Sequence, residues 1–241
     1  MKIRAVSPLS YQLTRLNFVN AYLVKEADGL TLVDTGLPGS AEAILKAAAQ
    51  VAQSLGSGLI RRVLLTHAHV DHIGSLDAIV AKLSVLAGKV EVAIGRREAP
   101  MLPKPPKQDL VLLPGEPPCH MKGTFSGADT EPTRLLDDGE MFGSLRVIAT
   151  PGHTPGHLSF LDERDGTLYA GDALLTIGGS ANIPGFGPWW FPLAGLATWH
   201  RPSALKSAQR LAELHIERVA AGHGPVVESG DLSAALRGAT A

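Results

Sequence analysis

The positions from His67 to His72, His67-Ala68-His69-Val70-Asp71-His72, carry four side chains able to ligate a metal, directly after Thr66 and the strand-like run Arg61 to Leu65. Shuffled chains of this composition would show His-x-His-x-Asp-His on the order of once in a thousand, so the segment reads as a metal site. This constrains the fold strongly, because a strand must end near residue 65 and release a turn whose side chains converge. His67 and His69, two apart just beyond a strand, can turn toward one centre, while Asp71 and His72 can face a second. Two ligand pairs suggest two metals. Each metal needs further ligands, and candidates stand after later apolar runs: His153 after Leu145 to Ala149, Asp172 after Leu168 to Ala170, and His223 after Val219 to Ala221. Neighbouring Gly152, Gly171 and Gly222 allow sharp turns and close backbone approach.

The rest of the chain alternates strand and helix signals. Strands are predicted over 11–15, 19–24 and 30–33, the last two joined by the turn Asp28-Gly29, and these should be adjacent and antiparallel. Ser40 is placed to cap a helix beginning at Ala41, in a run rich in alanine. Strand 61–65, a helix from about Ile73 to Leu86 and strand 90–94 follow. Strands are predicted again at 145–149, 157–161, 167–170 and 217–220, with a helix over 203–214 and a short one from Leu232. The repeated strand-then-helix rhythm suggests two packed sheets with helices outside. Two stretches break it. Pro100 to Pro118 contains seven prolines, and with the residues up to about 127 it reads as a long loop or lid; 178–200 is a second irregular segment, holding all three tryptophans.

Composition narrows the function. With 22 Lys plus Arg against 23 Asp plus Glu, no basic field collects phosphates, so nucleic acid is excluded as an expected partner. One cysteine, Cys119, cannot form an internal disulfide, and the first residues alternate apolar with basic instead of forming a signal core. A cytoplasmic setting is expected. The longest uncharged stretch, Ala173 to His200, is interrupted by Gly and Pro and would not span a membrane. A chain of 241 residues is expected to form one domain over 1–241.

The ordered set Asp34 (in Leu32-Val33-Asp34-Thr35-Gly36), His67-x-His69-x-Asp71-His72, His153 (in Pro151-Gly152-His153-Thr154-Pro155-Gly156-His157), Asp172 and His223 resembles the signature of the metallo-β-lactamase superfamily across nearly the whole chain. The resemblance implies an α/β fold, a four-layer αββα sandwich. It also implies that His67, His69 and His153 bind one metal, that Asp71, His72 and His223 bind the other, that Asp172 bridges them, and that Asp34 is a structural acid near the site. Asp71 is further assigned a catalytic place. The implied cofactors are two divalent ions, zinc first, with Mn²⁺ or Fe²⁺ as alternatives. Imidazole and carboxylate suit these ions, and a water shared between two of them has its pKa lowered to roughly 7, which gives a hydroxide nucleophile.

Departures from the pattern select among the family's reactions. Only 18 residues follow His223, too few for the C-terminal domain of a glyoxalase II, which shares the Gly-His-Thr-x-Gly-His pattern. No tyrosine follows Asp172 as in acyl-homoserine lactonases, and no basic arm resembles that of the tRNA-processing nucleases. The expected function is hydrolysis of a small ester, thioester or lactone by a dinuclear centre. A mononuclear iron persulfide dioxygenase and a non-catalytic scaffold are the alternatives. His157 is expected to support the site without ligating. The aromatic run Phe186, Trp189, Trp190 and Phe191 is a candidate substrate wall favouring apolar acyl groups, with core packing or a homodimer contact as competing readings. His215 is expected to end a helix, where its charge complements the dipole, and Cys119 is given no metal role.

Overall fold

The computed structural model describes residues 1–118, 120–186, 193–230, 232, 235 and 236. Strands β1 (Lys2–Ser7), β2 (Ser10–Arg15), β3 (Val19–Lys25), β4 (Leu30–Val33), β5 (Ile60–Leu64), β6 (Glu91–Gly95) and β7 (Arg134–Leu136) form one sheet in sequence order. Strands β8 (Met141–Phe142), β9 (Leu145–Ala149), β10 (Leu158–Asp162), β11 (Thr167–Gly171), β12 (Arg218–Ala221) and β13 (Val227–Glu228) form the second, also in order. Helices α1 (Ala41–Leu55), α2 (Val70–Ile73) and α3 (Leu76–Ala87) lie between strands of the first sheet, and α4 (Leu193–Ala197) and α5 (Arg201–Ala212) between β11 and β12. The expected antiparallel pairing of 19–24 with 30–33 is present as β3 and β4.

Strand side chains alternate between faces, and here both faces are buried. In β11, Leu168 and Ala170 pack with Ala204, Ala208 and Leu211 of α5, while Tyr169 packs the other way. In β4, Leu30 and Leu32 meet Ile44 and Val51 of α1, and Val33 faces the second sheet. Between the sheets lies a third apolar cluster, with Tyr22, Val24 and Leu64 from one side and Phe142, Phe160 and Tyr169 from the other. Three apolar layers between helix, sheet, sheet and helix make the four-layer αββα sandwich. Burial of about 25 cal/mol per Å² of apolar surface drives this stacking.

Local signals explain the boundaries. Helix α1 stops where Gly56 turns left-handed (φ 58°) and its N–H reaches Ala52 O and Gln53 O, a glycine C-cap. Ser40 occupies the N-cap position of α1 but makes no side-chain cap; its Oγ instead accepts from Arg15 Nη1 at 2.7 Å, because the charged donor from the neighbouring sheet competes with the helix N–H groups. The first irregular segment forms only short 3-10 turns at 99–101 and 108–110. The helix expected from Leu232 falls largely outside the described residues. No helix among the described residues is long and apolar enough to cross a membrane.

Candidate metal centre

The predicted ligands gather along one edge of the sandwich. His67 and His69 follow β5, Asp71 and His72 sit on α2, His153 follows β9, Asp172 follows β11 and His223 follows β12. Three overlapping groups result, His67/His69/His153, His67/His72/Asp172 and Asp71/His72/His223, with the ligand atoms of each within 4.8 Å of one another. Asp71 is half-buried and the other six side chains are buried.

Hydrogen bonds fix which nitrogens face inward. His69 Nε2 lies 2.8 Å from Lys122 O, a group that can only accept, so Nε2 carries the proton and Nδ1 a lone pair. Thr66 Oγ1 donates to Asp34 Oδ2 at 2.9 Å, so it must accept from His67 Nδ1 at 3.0 Å. His67 Nε2 is then also a lone pair. These two lone pairs face each other at 3.1 Å, and His153 Nε2 lies 3.0 Å from His69 Nδ1. Neutral nitrogens so placed repel unless a cation lies among them. Their separations are within a few tenths of the ~3.3 Å that a tetrahedral ion with ~2.0 to 2.1 Å bonds requires. Burial, with the neighbouring histidine charges, holds His67 well below the ordinary histidine pKa, and burial does the same for His153.

The second group is rich in carboxylates. His72 Nδ1 donates to Asp34 Oδ2 at 2.8 Å, which turns Nε2 toward Asp172 Oδ1 at 3.4 Å. Both of these atoms are buried without a hydrogen-bond partner, an arrangement that costs free energy unless something else engages them. His223 Nε2 lies 3.3 Å from Asp71 Oδ2 and 3.2 Å from Asp172 Oδ2, and the latter oxygen is also 3.3 Å from His153 Nε2. Asp172 thus stands between the two groups, one oxygen toward His72 and the other toward His153 and His223. Burial disfavours charge on His72, but Asp172, Asp34 and Asp71 outweigh it and raise that pKa; His223, likewise opposed by burial, is raised to about 9 by Asp172 and Asp71. The field that draws protons onto these rings would draw divalent cations. Donor types, inward lone pairs and the two orphaned atoms all fit a pair of such ions.

Supporting contacts surround both groups. Asp34 adopts φ 59° although it is not glycine, a strained conformation costing ~1 to 3 kcal/mol. It is held by its carboxylate, whose oxygens accept from Thr66 N, Thr66 Oγ1 and His72 Nδ1. His157 belongs to none of the three groups. Its Nε2 accepts from Asp172 N at 3.0 Å, so Nδ1 donates to Thr150 Oγ1 at 2.8 Å, which donates to Ser159 Oγ at 2.9 Å, which donates to Ala170 O at 3.0 Å. This one-way chain needs a neutral ring, and burial pushes the His157 pKa down to about 3. His223 is clamped by the opposite sheet: Asn20 Nδ2 donates to Ala221 O and Gly224 O, and Tyr22 Oη to Ala221 O. Gly222 must lack a side chain, since a Cβ there would meet Asp172 Oδ1 and lie 2.6 Å from His72 Cε1.

A cleft of about 340 Å³ opens over the ligands, lined by Phe18, Leu37, Val70, Gly123, Thr124 and Ala197 beside His69, Asp71, His153, Asp172 and His223. The first lid borders it through residues 122–125: Val70 N donates to Thr124 O at 2.9 Å and the Phe125 ring packs, tilted, with its centroid 4.6 Å from that of His69. Met101 and Val111 pack behind, against Ala68. The second lid contributes Ala197. Phe186 is exposed and is not among the residues lining this cleft; Trp189, Trp190 and Phe191 lie outside the described residues, as does Cys119. The third tryptophan, Trp199, is buried, its backbone N–H donating to His153 O at 2.9 Å. His215 lies beyond the end of α5 and pairs with Glu217 at 3.2 Å, so a carboxylate and not the helix dipole is its nearest partner. Sequence reasoning missed Phe18, Leu37 and the Lys122 carbonyl, which belong to no ligand pattern and reach the site only by chain folding.

Comparison with known proteins agrees with this geometry. The family model for the metallo-beta-lactamase superfamily matches residues 14–223. YobT of Bacillus subtilis (strain 168), described as an uncharacterized protein, is 42% identical over 212 residues, spanning 88% of this chain and 85% of its own. The probable metallo-hydrolase YflN of the same organism is 30% identical over 184 residues, spanning 72% and 66%. A crystal structure of TTHA1623 in a di-iron-bound form is similar with a TM-score of 0.59 and 28% identity, covering 92% of this chain and 95% of that one.

Proposed function

The chain belongs to the metallo-beta-lactamase superfamily, and on that premise we propose that it is a dinuclear metal-dependent hydrolase of small, uncharged esters, thioesters or lactones. His67, His69 and His153 would hold one divalent ion, Asp71, His72 and His223 the other, and Asp172 both. Two such ions supply a Lewis acid for the carbonyl oxygen and acidify water to a pKa of roughly 7. The single observation that carries the reading is the convergence of seven donors into three overlapping groups, five of them lining one cleft. The completeness of the second group favours two ions over the single iron of a dioxygenase.

The chain's own residues have distinct tasks. Asp71 is the most exposed of the set, its side chain 27% accessible. Burial opposes its charge, but His72 and His223 outweigh this and keep it ionised, so at neutral pH it accepts hydrogen bonds and does not deliver protons. Asp34 and His157 orient their neighbours. Phe18, Leu37, Val70 and Ala197 present apolar surface to the substrate, and no Lys or Arg side chain lines the cleft among the described residues. Beyond the ions themselves, anionic substrates therefore find no side-chain counter-charge there, which supports an uncharged acyl or lactone substrate.

Metal analysis combined with a panel of esters, lactones and thioesters, graded in size and charge, tests this. Two zinc, manganese or iron ions per chain, loss of turnover on chelation and recovery on metal addition are expected. Phe18→Ala should reduce turnover of larger apolar esters roughly 10-fold, about the effect of losing 1 to 2 kcal/mol of apolar contact, with acetyl esters little changed. One iron with oxygen uptake on a persulfide would replace the proposal with the dioxygenase; full metal loss with unchanged turnover would remove it.

A further inference from the structure

Glu98 is fully buried beyond the end of β6, far in sequence from every proposed ligand. A carboxylate is rarely taken out of water without compensation, and here each oxygen has a specific donor. Oε1 accepts from the backbone N–H of Ala68 at 2.9 Å, and Oε2 from Thr154 Oγ1 at 2.8 Å. The Gly156 backbone N–H is a third donor. Ala68 is the residue between His67 and His69, and Thr154 follows His153. One carboxylate therefore ties together the two turns that supply the three-histidine group.

These turns belong to different sheets, one leaving β5 and the other leaving β9, so no sheet ladder sets their relative position; beside Glu98, the backbone bond from Leu158 N to Thr66 O at 3.0 Å joins the two segments. The residues around Glu98 allow it no slack. A Cβ on Gly156 would meet the Glu98 backbone, and Glu98 N is itself bonded to Gly95 O at 2.9 Å. Burial pushes the carboxyl pKa up to about 7 in spite of its three donors and Arg97.

We propose that Glu98 is a positioning residue for the first metal: by holding Ala68 and Thr154 it sets the spacing of the His67, His69 and His153 nitrogens across the inter-sheet gap. The proposal rests on the reading of these histidines as a metal site. Asp34 reaches both groups, His72 directly and His67 through Thr66, whereas Glu98 bonds only to the turns of the three-histidine group, so loss of Glu98 should affect the two ions unequally.

The test is competitive zinc titration against a chelator on the purified protein and on Glu98→Ala, Glu98→Gln and Thr154→Val, with Co²⁺ absorption spectra reporting coordination geometry. Glu98→Ala should weaken one of the two bound ions by ~10 to 100-fold, the usual effect of losing a contact behind a metal ligand, and leave the other within about 3-fold. Glu98→Gln should recover most of that loss, because its carbonyl can still accept from Ala68 N while its amide donates to Thr154 Oγ1. Thr154→Val removes a single bond and should show a smaller loss at the same ion, which keeps the test decisive if Glu98→Ala does not fold. Unchanged affinities and spectra in the folded variants, or equal weakening of both ions in every variant, would overturn the proposal while leaving the metal centre intact. Absence of zinc uptake by the unmodified protein would instead remove the metal-centre reading, and this inference with it.

Discussion

At the scale of single residues the candidate centre divides into donor atoms that converge and atoms that fix those that do. Asp172 contacts both groups through its two oxygens, whereas His157 reaches Asp172 only through the Asp172 backbone N–H. Asp172→Ala should therefore cost more than the ~10 to 100-fold typical of a supporting contact, and His157→Ala should fall within that range. Steady-state turnover with metal content measured in parallel checks this, and equal losses would mean the ligand assignment is wrong. The ligands were legible in the sequence because metal-competent residues at fixed spacing are rare by chance. Glu98 was not legible, since a lone acid after a strand has no pattern and its partners lie 30 and 56 positions away.

Among the elements, the first lid shows how an irregular segment is pinned without regular structure. Its far end is held by Asp77 near the start of α3, whose oxygens accept from Asp129 N, Thr130 N and Thr130 Oγ1, with Lys104 Nζ at 3.1 Å. Burial disfavours the charge, but the Thr130 hydroxyl, the two backbone N–H groups and Lys104 outweigh it and lower the pKa to about 2. A depressed folded-state pKa contributes stability above the unfolded value, near 4, and that contribution is lost as pH falls toward 2. At 1.36 kcal/mol per unit the shift corresponds to at most ~2.5 kcal/mol; with the side chain 37% exposed, solvent screening reduces this to about 1 kcal/mol. Asp77→Asn should be less stable than the parent by about that amount at pH 7 and equal to it at pH 2, as read by urea unfolding across pH. Strands such as β4 and β11 were legible because apolar runs bounded by turns are strong signals. Edge strands β1 and β7 were not, for β1 is largely exposed and β7 has three residues.

For the whole molecule, the ligands are drawn from both sheets, so metal binding couples the two halves of the sandwich. Ligands that bind only the folded state stabilise it by mass action, ~4 kcal/mol at a thousand times the dissociation constant, which for a chain of this size corresponds to a melting rise on the order of 10 °C. Chelation should lower the melting temperature by that order and zinc should restore it; an unchanged melting curve on verified metal removal would show that the sheets hold together without the centre. The sequence by itself determined which residue types could bind metal, the strand ends that carry them and, by family resemblance, the αββα layering, because local spacing and hydrophobic pattern are properties of short segments. Only the tertiary structure decided that Asp172 faces both groups, that Lys122 O and Thr66 set the histidine tautomers, that Glu98 bridges two sheets, and that Phe18 and Ala197 border the cleft in place of Phe186. Each of these depends on contacts between segments distant along the chain, and such contacts are fixed by how the layers pack and not by any residue's neighbours in sequence.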